Sequence, residues 1–145
     1  MNIIIHDVGL RDGLQIEKDI VPPEKKIEWV RGLMEAGIDI IQVGSFVNPK
    51  KVPQMADTEQ IFTELNKIKK GETILSALVL NEKGVERGMS CGVEMFCMGV
   101  SASETHSKKN TGMSVSEATE RIIAMAKECM KAHKKVQASV QSAFG

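Results

Sequence analysis

Apolar and polar positions follow one another along this chain in short blocks whose period switches back and forth. Residues 3–8, IIIHDV, form an apolar run interrupted only by His6 and Asp7, short enough for a buried strand. Pro22 and Pro23 lead into EKKIEWVRGLMEAG, where Ile27, Val30, Leu33 and Met34 recur at the spacing of one helix face. Gly37 then supplies a left-handed stop. IDIIQVGSF, residues 38–46, is rich in β-branched side chains and predicts a second strand. Asp57 with Gln60 three residues later has the form of a capping box, ahead of a stripe through Ile61, Phe62, Leu65 and Ile68 that Gly71 closes. TILSALVL (residues 73–80) predicts a third strand, followed by a short helix from Asn81 that carries Gly84 and Gly88. VEMFCMGV (residues 93–100) predicts a fourth. Ser114 and Glu117 make a second capping box before the longest stripe, through Ala118, Ile122, Met125 and Cys129. VQASVQSAF, residues 136–144, predicts a fifth strand.

Strand and helix signals thus alternate without interruption, which predicts an α/β domain with a parallel sheet. No linker, low-complexity segment or second domain interrupts residues 1–145. An open doubly wound sheet and part of a (β/α)8 barrel both satisfy this order. A doubly wound nucleotide binder usually has a Gly-rich phosphate turn after its first strand, and GLRDGLQ lacks the GxGxxG spacing. Polar residues gather instead behind several strands, at 11–15, 42–48 and 101–110, as they do at the functional end of a parallel barrel.

Charge changes the picture only by exclusion. The 145 residues hold 19 Lys+Arg and 19 Asp+Glu, so no global field draws the chain to nucleic acid or to an anionic membrane. Apolar stretches fall well short of the roughly 18 residues a spanning helix needs. The N-terminus has no basic n-region and reads as a strand rather than a signal peptide. Cys91, Cys97 and Cys129 form no CxxC pair, and their odd number fits reduced thiols in a cytoplasmic protein, as small buried hydrophobes.

VGLRDGLQ (residues 8–15) is the first candidate for chemistry. At a strand end, Asp12 could offer a hard oxygen to Mg²⁺ or Mn²⁺, and Arg11 could meet a carbonyl oxygen that becomes an enolate. Gly9 and Gly13 would let the backbone pass close around a ligand. The plainer reading is a polar turn closed by an exposed salt bridge. GSFVNPKKVPQMAD (residues 44–57) reads as a long loop whose Phe46, Val47, Val52 and Met55 would be costly to expose without a function. Lys50 and Lys51 in it are most simply solvated. SASETHSKKN (residues 101–110) reads as a loop offering Ser, Glu, His and Lys without metal-ligand spacing, and His106 as an ordinary loop residue.

These three stretches, in this order, resemble the 3-hydroxy-3-methylglutaryl-CoA lyases, within the metal-dependent pyruvate carboxyltransferase-like barrels that include isopropylmalate and homocitrate synthases. Asp7 and residues 11–15 fit the D-x-x-x-R-D-G-x-Q pattern of the wider group, and SFV-x-P-K-x-VPQM fits the lyase branch. The resemblance implies the N-terminal part, about five strands, of a (β/α)8 barrel. It implies Asp12 as a metal ligand, Arg11 as the group that polarises the substrate carbonyl, and Gln15, Ser45 and Phe46 as substrate-pocket residues. The implied reaction is retro-Claisen cleavage of an acyl-CoA, with a divalent cation, to acetyl-CoA and a keto acid. Claisen-type synthesis and a non-catalytic half-barrel acting in assembly remain as alternatives.

Two departures from the family stand out. Gln42 occupies a strand-two position where the lyases have a glutamate, and an amide cannot accept a proton as a carboxylate does. The family's His-x-His ligands, its asparagine ligand and its loop cysteine belong to later strands than the five read here. A five-stranded parallel sheet leaves edges unpaired, so an oligomer or a complementing C-terminal half is expected, with no nucleic acid or membrane partner.

Overall fold

The computed structural model describes residues 3–144. Five parallel strands lie in one sheet in chain order: β1 (His6–Asp7), β2 (Ile40–Ser45), β3 (Ile74–Leu78), β4 (Met95–Ser101) and β5 (Lys135–Gln141). Neighbouring strands that run the same way need crossovers, and helices supply them. These are α1 (Pro23–Glu35), α2 (Thr58–Ile68), α3 (Glu82–Cys91), α4 (Glu104–Thr111) and α5 (Val115–Lys131). α1 packs on α2, α2 on α3 and α3 on α5, so these helices stand on one face of the sheet. A sheet built strand upon strand with its helices outside is the N-terminal part of a (β/α)8 barrel.

The core lies between the sheet and that helical layer. Ile41, Leu75, Ala77 and Phe96 point outward from the strands into Val30, Phe62, Leu65 and Met125, all buried. Strand alternation sends the intervening residues to the barrel-facing side. Gln42 stands beside Ser76 there, and Cys97 beside Gln137. Gly88 of α3 makes the closed side tight, since a Cβ on it would lie 2.5 Å from the Phe96 ring.

Several expectations are corrected. The first strand is His6–Asp7 rather than residues 3–8. Ile3, Ile4 and Ile5 are 79, 69 and 53% exposed, because β1 is an edge with β2 on one side only. An apolar run becomes a strand only where neighbours cover it. Residues 101–110 are not a loop: α4 covers most of them, opened by Ser103, whose hydroxyl accepts from the His106 amide at 3.3 Å, and closed by left-handed Gly112. Asp57 precedes α2 but does not cap it, because its carboxylate is engaged by Lys26. The Ser114–Glu117 capping box is present in full. Phe46 and Met55 are buried rather than displayed by the 44–57 loop, which tightens into a 3₁₀ turn at Pro53–Met55.

Candidate active site

The chain leaves β1 through a single π-helical turn, Gly9–Gly13, in which the amides of Arg11 and Asp12 both reach the Val8 carbonyl, at 3.2 and 2.8 Å. Such wide turns are uncommon and cluster at functional sites. The left-handed glycines are Gly37, Gly71, Gly92 and Gly112, so the turn at Gly9–Gly13 is not built on left-handed backbone. The turn is instead closed by its backbone hydrogen bonds and by the Gly9 amide, which donates to Asp7 Oδ1 at 3.1 Å.

Within it, Arg11 joins two partners. Its Nε donates to Gln42 Oε1 at 2.5 Å, and its Nη1 pairs with Asp12 Oδ1 at 2.6 Å. The Arg11 side chain is 19% exposed and that of Asp12 64%. The guanidinium is therefore held along the sheet's barrel-facing side, and its other nitrogen, Nη2, has no partner among the described residues. Gln15 lies just past the turn and is exposed, and it is not hydrogen-bonded to this trio. Ser45 aligns with Leu78, and Leu78 with Cys97, on the barrel-facing side. Its hydroxyl is buried and without a hydrogen-bond partner among the described residues. Phe46 is not brought to Arg11. The irregularity between Gln42 and Gly44 shifts the register, and Phe46 points outward against Phe62 at 6.2 Å, with the Arg87 guanidinium 5.4 Å above its ring.

Sequence reasoning missed three contributors. His6 reaches across β2, and its Nε2 lies 3.0 Å from Ser76 Oγ, while that hydroxyl donates to the Ile41 carbonyl at 3.2 Å. With that proton committed, Ser76 accepts from His6, which assigns the imidazole hydrogen to Nε2. Burial lowers the His6 pKa, with Asp7 opposing and Arg11 reinforcing, so the ring favours its neutral form. Cys97 is buried on the barrel-facing side, with its Sγ 3.3 Å from Gln137 Oε1. Burial pushes this thiol up, so the sulfur keeps its proton. Lys26 is 1% exposed, and its Nζ donates to the Gln54 carbonyl at 2.6 Å and to both Asp57 oxygens at 2.8 and 2.9 Å. Gln54 Nε2 in turn donates to the Glu17 carbonyl at 2.6 Å. The loop after β2 is thus tied to α1 and to the segment after the π-helical turn. The clue was a lysine beside Ile27 on the apolar side of α1.

A hard divalent cation matches this site in kind but not yet in number. Asp12 presents an exposed carboxylate with one oxygen outside the Arg11 pair. No group of three or more His, Cys, Asp or Glu side chains converges among the described residues. The donor present suits Mg²⁺ or Mn²⁺, which accept several oxygen ligands beyond one carboxylate.

A family model described as HMGL-like matches residues 2–145. The chain is 35% identical over 143 residues to a hydroxymethylglutaryl-CoA lyase of Bacillus subtilis, an alignment covering 99% of this chain and 47% of that protein. The crystal structure of the Bacillus subtilis HMG-CoA lyase superposes with a TM-score of 0.92 at 33% identity, covering 99% of this chain and 47% of that one. An HMG-CoA lyase from Acinetobacter baumannii, solved with coenzyme A and 3-methylmalate, superposes with a TM-score of 0.88 at 30% identity, covering 98% and 46%. The chain spans about half the length of the curated relatives it matches.

Proposed function

The chain belongs to the HMGL-like family, and from that premise we propose that it forms the N-terminal part of a divalent-metal-dependent carbon–carbon lyase. Residues 1–145 are one unit of that barrel. The substrate is a 3-hydroxy-3-methylglutaryl-CoA-like acyl-CoA, cleaved to acetyl-CoA and a keto acid in the cytoplasm. The observation that carries the reading is Arg11, fixed between Gln42 and Asp12 at the end of β1, with Nη2 unpartnered among the described residues.

Asp12 would hold the cation through its exposed carboxylate. When bound, the cation acts as Lewis acid and template for the substrate oxygens. Arg11 donates to the thioester carbonyl oxygen and stabilises the enolate that develops as the C–C bond breaks. A donor aimed beforehand at that oxygen needs no reorganisation during the reaction. Gln42 holds the guanidinium and carries no proton away, because an amide oxygen is a poor base. Ser45 lines the barrel-facing wall, and Gln15 closes over the substrate from the mouth. Phe46 supports that wall from behind. No described helix is long and apolar enough to cross a membrane.

The full-length protein, incubated with 3-hydroxy-3-methylglutaryl-CoA and Mg²⁺ or Mn²⁺, is expected to release acetyl-CoA. Arg11→Ala lowers turnover by about 10²- to 10³-fold, the scale for losing one oxyanion donor. Wild-type protein that releases no acetyl-CoA, or a variant as fast as wild type, would overturn the reading. The open sheet edges favour a complementing half: Val140 of β5 is 62% exposed and Ile5 beside β1 is 53% exposed.

A further inference from the structure

We infer that Gln54 is a positioning residue: based on the buried Lys26, it pins the strap of residues 14–22 that carries Gln15, so that this side of the barrel mouth is ordered before substrate arrives. Its part in binding rests on the reading proposed above, in which Gln15 meets the substrate.

The strap runs from the π-helical turn to α1 with little of its own to hold it. Residues 15–20 are all exposed, and residues 17–22 belong to no helix or strand. Ile16 and Ile20 are 82 and 57% exposed, so apolar packing does not fix their place. Among the described residues, the strap has one hydrogen bond to a distant part of the chain. The Glu17 carbonyl accepts it from Gln54 Nε2 at 2.6 Å, across 37 positions. A backbone carbonyl only accepts, so the Gln54 amide must present its nitrogen there.

A side chain on a loose loop would pin nothing, because the loop would move with it. Here the loop is fixed. The Gln54 carbonyl accepts from Lys26 Nζ at 2.6 Å, and that buried ammonium also donates to both Asp57 oxygens at 2.8 and 2.9 Å. The next residue, Met55, is buried, and its carbonyl accepts from Thr58 Oγ1 at 2.8 Å. Gln54 thus has its main chain anchored in the closed layer and its half-buried side chain reaching the strap. One residue joins the loop after β2 to the segment after β1.

A strap left loose would have to be ordered at each binding event, which weakens binding; a pinned strap has lost that freedom on folding. Such ordering precedes the bond-breaking step, so its loss raises KM rather than lowering kcat.

Gln54→Met in the full-length protein tests this. It keeps the side-chain length, removes the donor, and leaves the carbonyl of residue 54 on Lys26, so melting temperature should change little. A glutamate-specific protease must draw the Glu17 carbonyl into its own cleft, away from Gln54, to cut after Glu17. Cleavage there should speed about three- to tenfold, the scale of one hydrogen bond, with cleavage elsewhere unchanged. KM for 3-hydroxy-3-methylglutaryl-CoA should rise by a similar factor, with kcat within about twofold of wild type. Gln54→Lys, whose ammonium can donate to the same carbonyl, should return both quantities toward wild type. Unchanged cleavage after Glu17 in Gln54→Met overturns the inference, and so does faster cleavage with unchanged KM in an active lyase. Faster cleavage in a protein without lyase activity would sink the lyase reading and leave the pinned strap standing.

Discussion

The two faces of the same five strands are built on opposite terms. Outward residues such as Ile41, Leu75 and Phe96 are sealed under helices, and their neighbours are almost all apolar. Barrel-facing residues one position away, Gln42, Ser76, Cys97 and Gln137, are polar, and each makes a side-chain hydrogen bond: Gln42 to Arg11, Ser76 to the Ile41 carbonyl, Cys97 to Gln137. Side chains inside a parallel barrel are commonly bulky and branched. Here one face holds the fold together and the other aims side chains, so stability and chemistry should respond to different substitutions.

Lys26 is the sharpest attempt to break that division, because it puts a charge inside the closed face. Its ammonium replaces water entirely with Gln54 and Asp57 oxygens. Lys26→Met strands the Asp57 carboxylate, whose side chain is only 16% exposed, and should cost about 3–5 kcal/mol in chemical denaturation. A loss below about 1 kcal/mol would mean that the closed face tolerates an unpaired charge and the contrast is wrong.

A matched pair of glycines sharpens the contrast at smaller scale. An added methyl at Gly88 meets the Phe96 ring at 2.5 Å, and that ring is fully buried. At Gly99 on the barrel-facing side it meets the Ser139 hydroxyl at 2.7 Å, and Ser139 is exposed and able to swing away. Gly88→Ala should destabilise by about 1–3 kcal/mol, reduced by the gain in helix propensity. Gly99→Ala should stay within about 0.5 kcal/mol of wild type. Equal melting temperatures for the two variants would erase the difference between the faces.

The smallest effect belongs outside both faces, where Arg121 of α5 pairs with Glu82 of α3. The hydrogen bond from Arg121 holds the Glu82 carboxyl down to about 2. A depressed acid pKa adds stability above the unfolded value near 4.5, and that stability is lost as pH falls through the folded value. Both side chains are well exposed, 35% and 62%, so solvent screening reduces the gain. Glu82→Gln should therefore lower the melting temperature slightly at pH 7 and leave it unchanged near pH 2. A difference that grows on acidification would contradict the assignment.

The alternation of strands and helices was legible because hydrophobic period is set locally, and each stripe found its sheet. The misread elements share a different cause. α4, ETHSKKNT, has no apolar stripe, and its one buried residue is Ser107; end caps and packing on α5 hold it. Residues 3–5 look like a strand by composition, but their burial depended on neighbours that the sequence pattern does not reveal. Asp57 looks like a cap, and the lysine that claims it lies 31 positions earlier. In the site, Arg11 and Asp12 could be picked out because two charged groups at a strand end are hard to explain otherwise. Gln42 was noticed, but its hold on Arg11 spans 31 positions and leaves no local trace. Phe46 was read as a pocket-wall residue, and a one-residue irregularity in β2, invisible in the sequence, turns it outward against Phe62.

The strands lie across the sheet in the order in which they occur along the chain. During synthesis, which proceeds from the N-terminus, each emerging β/α unit therefore finds its pairing partner already made and immediately upstream. No strand has to wait for a distant one, and no earlier pair has to open to admit a later arrival. Sequence separation between paired strands stays near one unit throughout, which favours rapid search over the long-range closures that slow β-rich folds. The newest strand is always the growing edge.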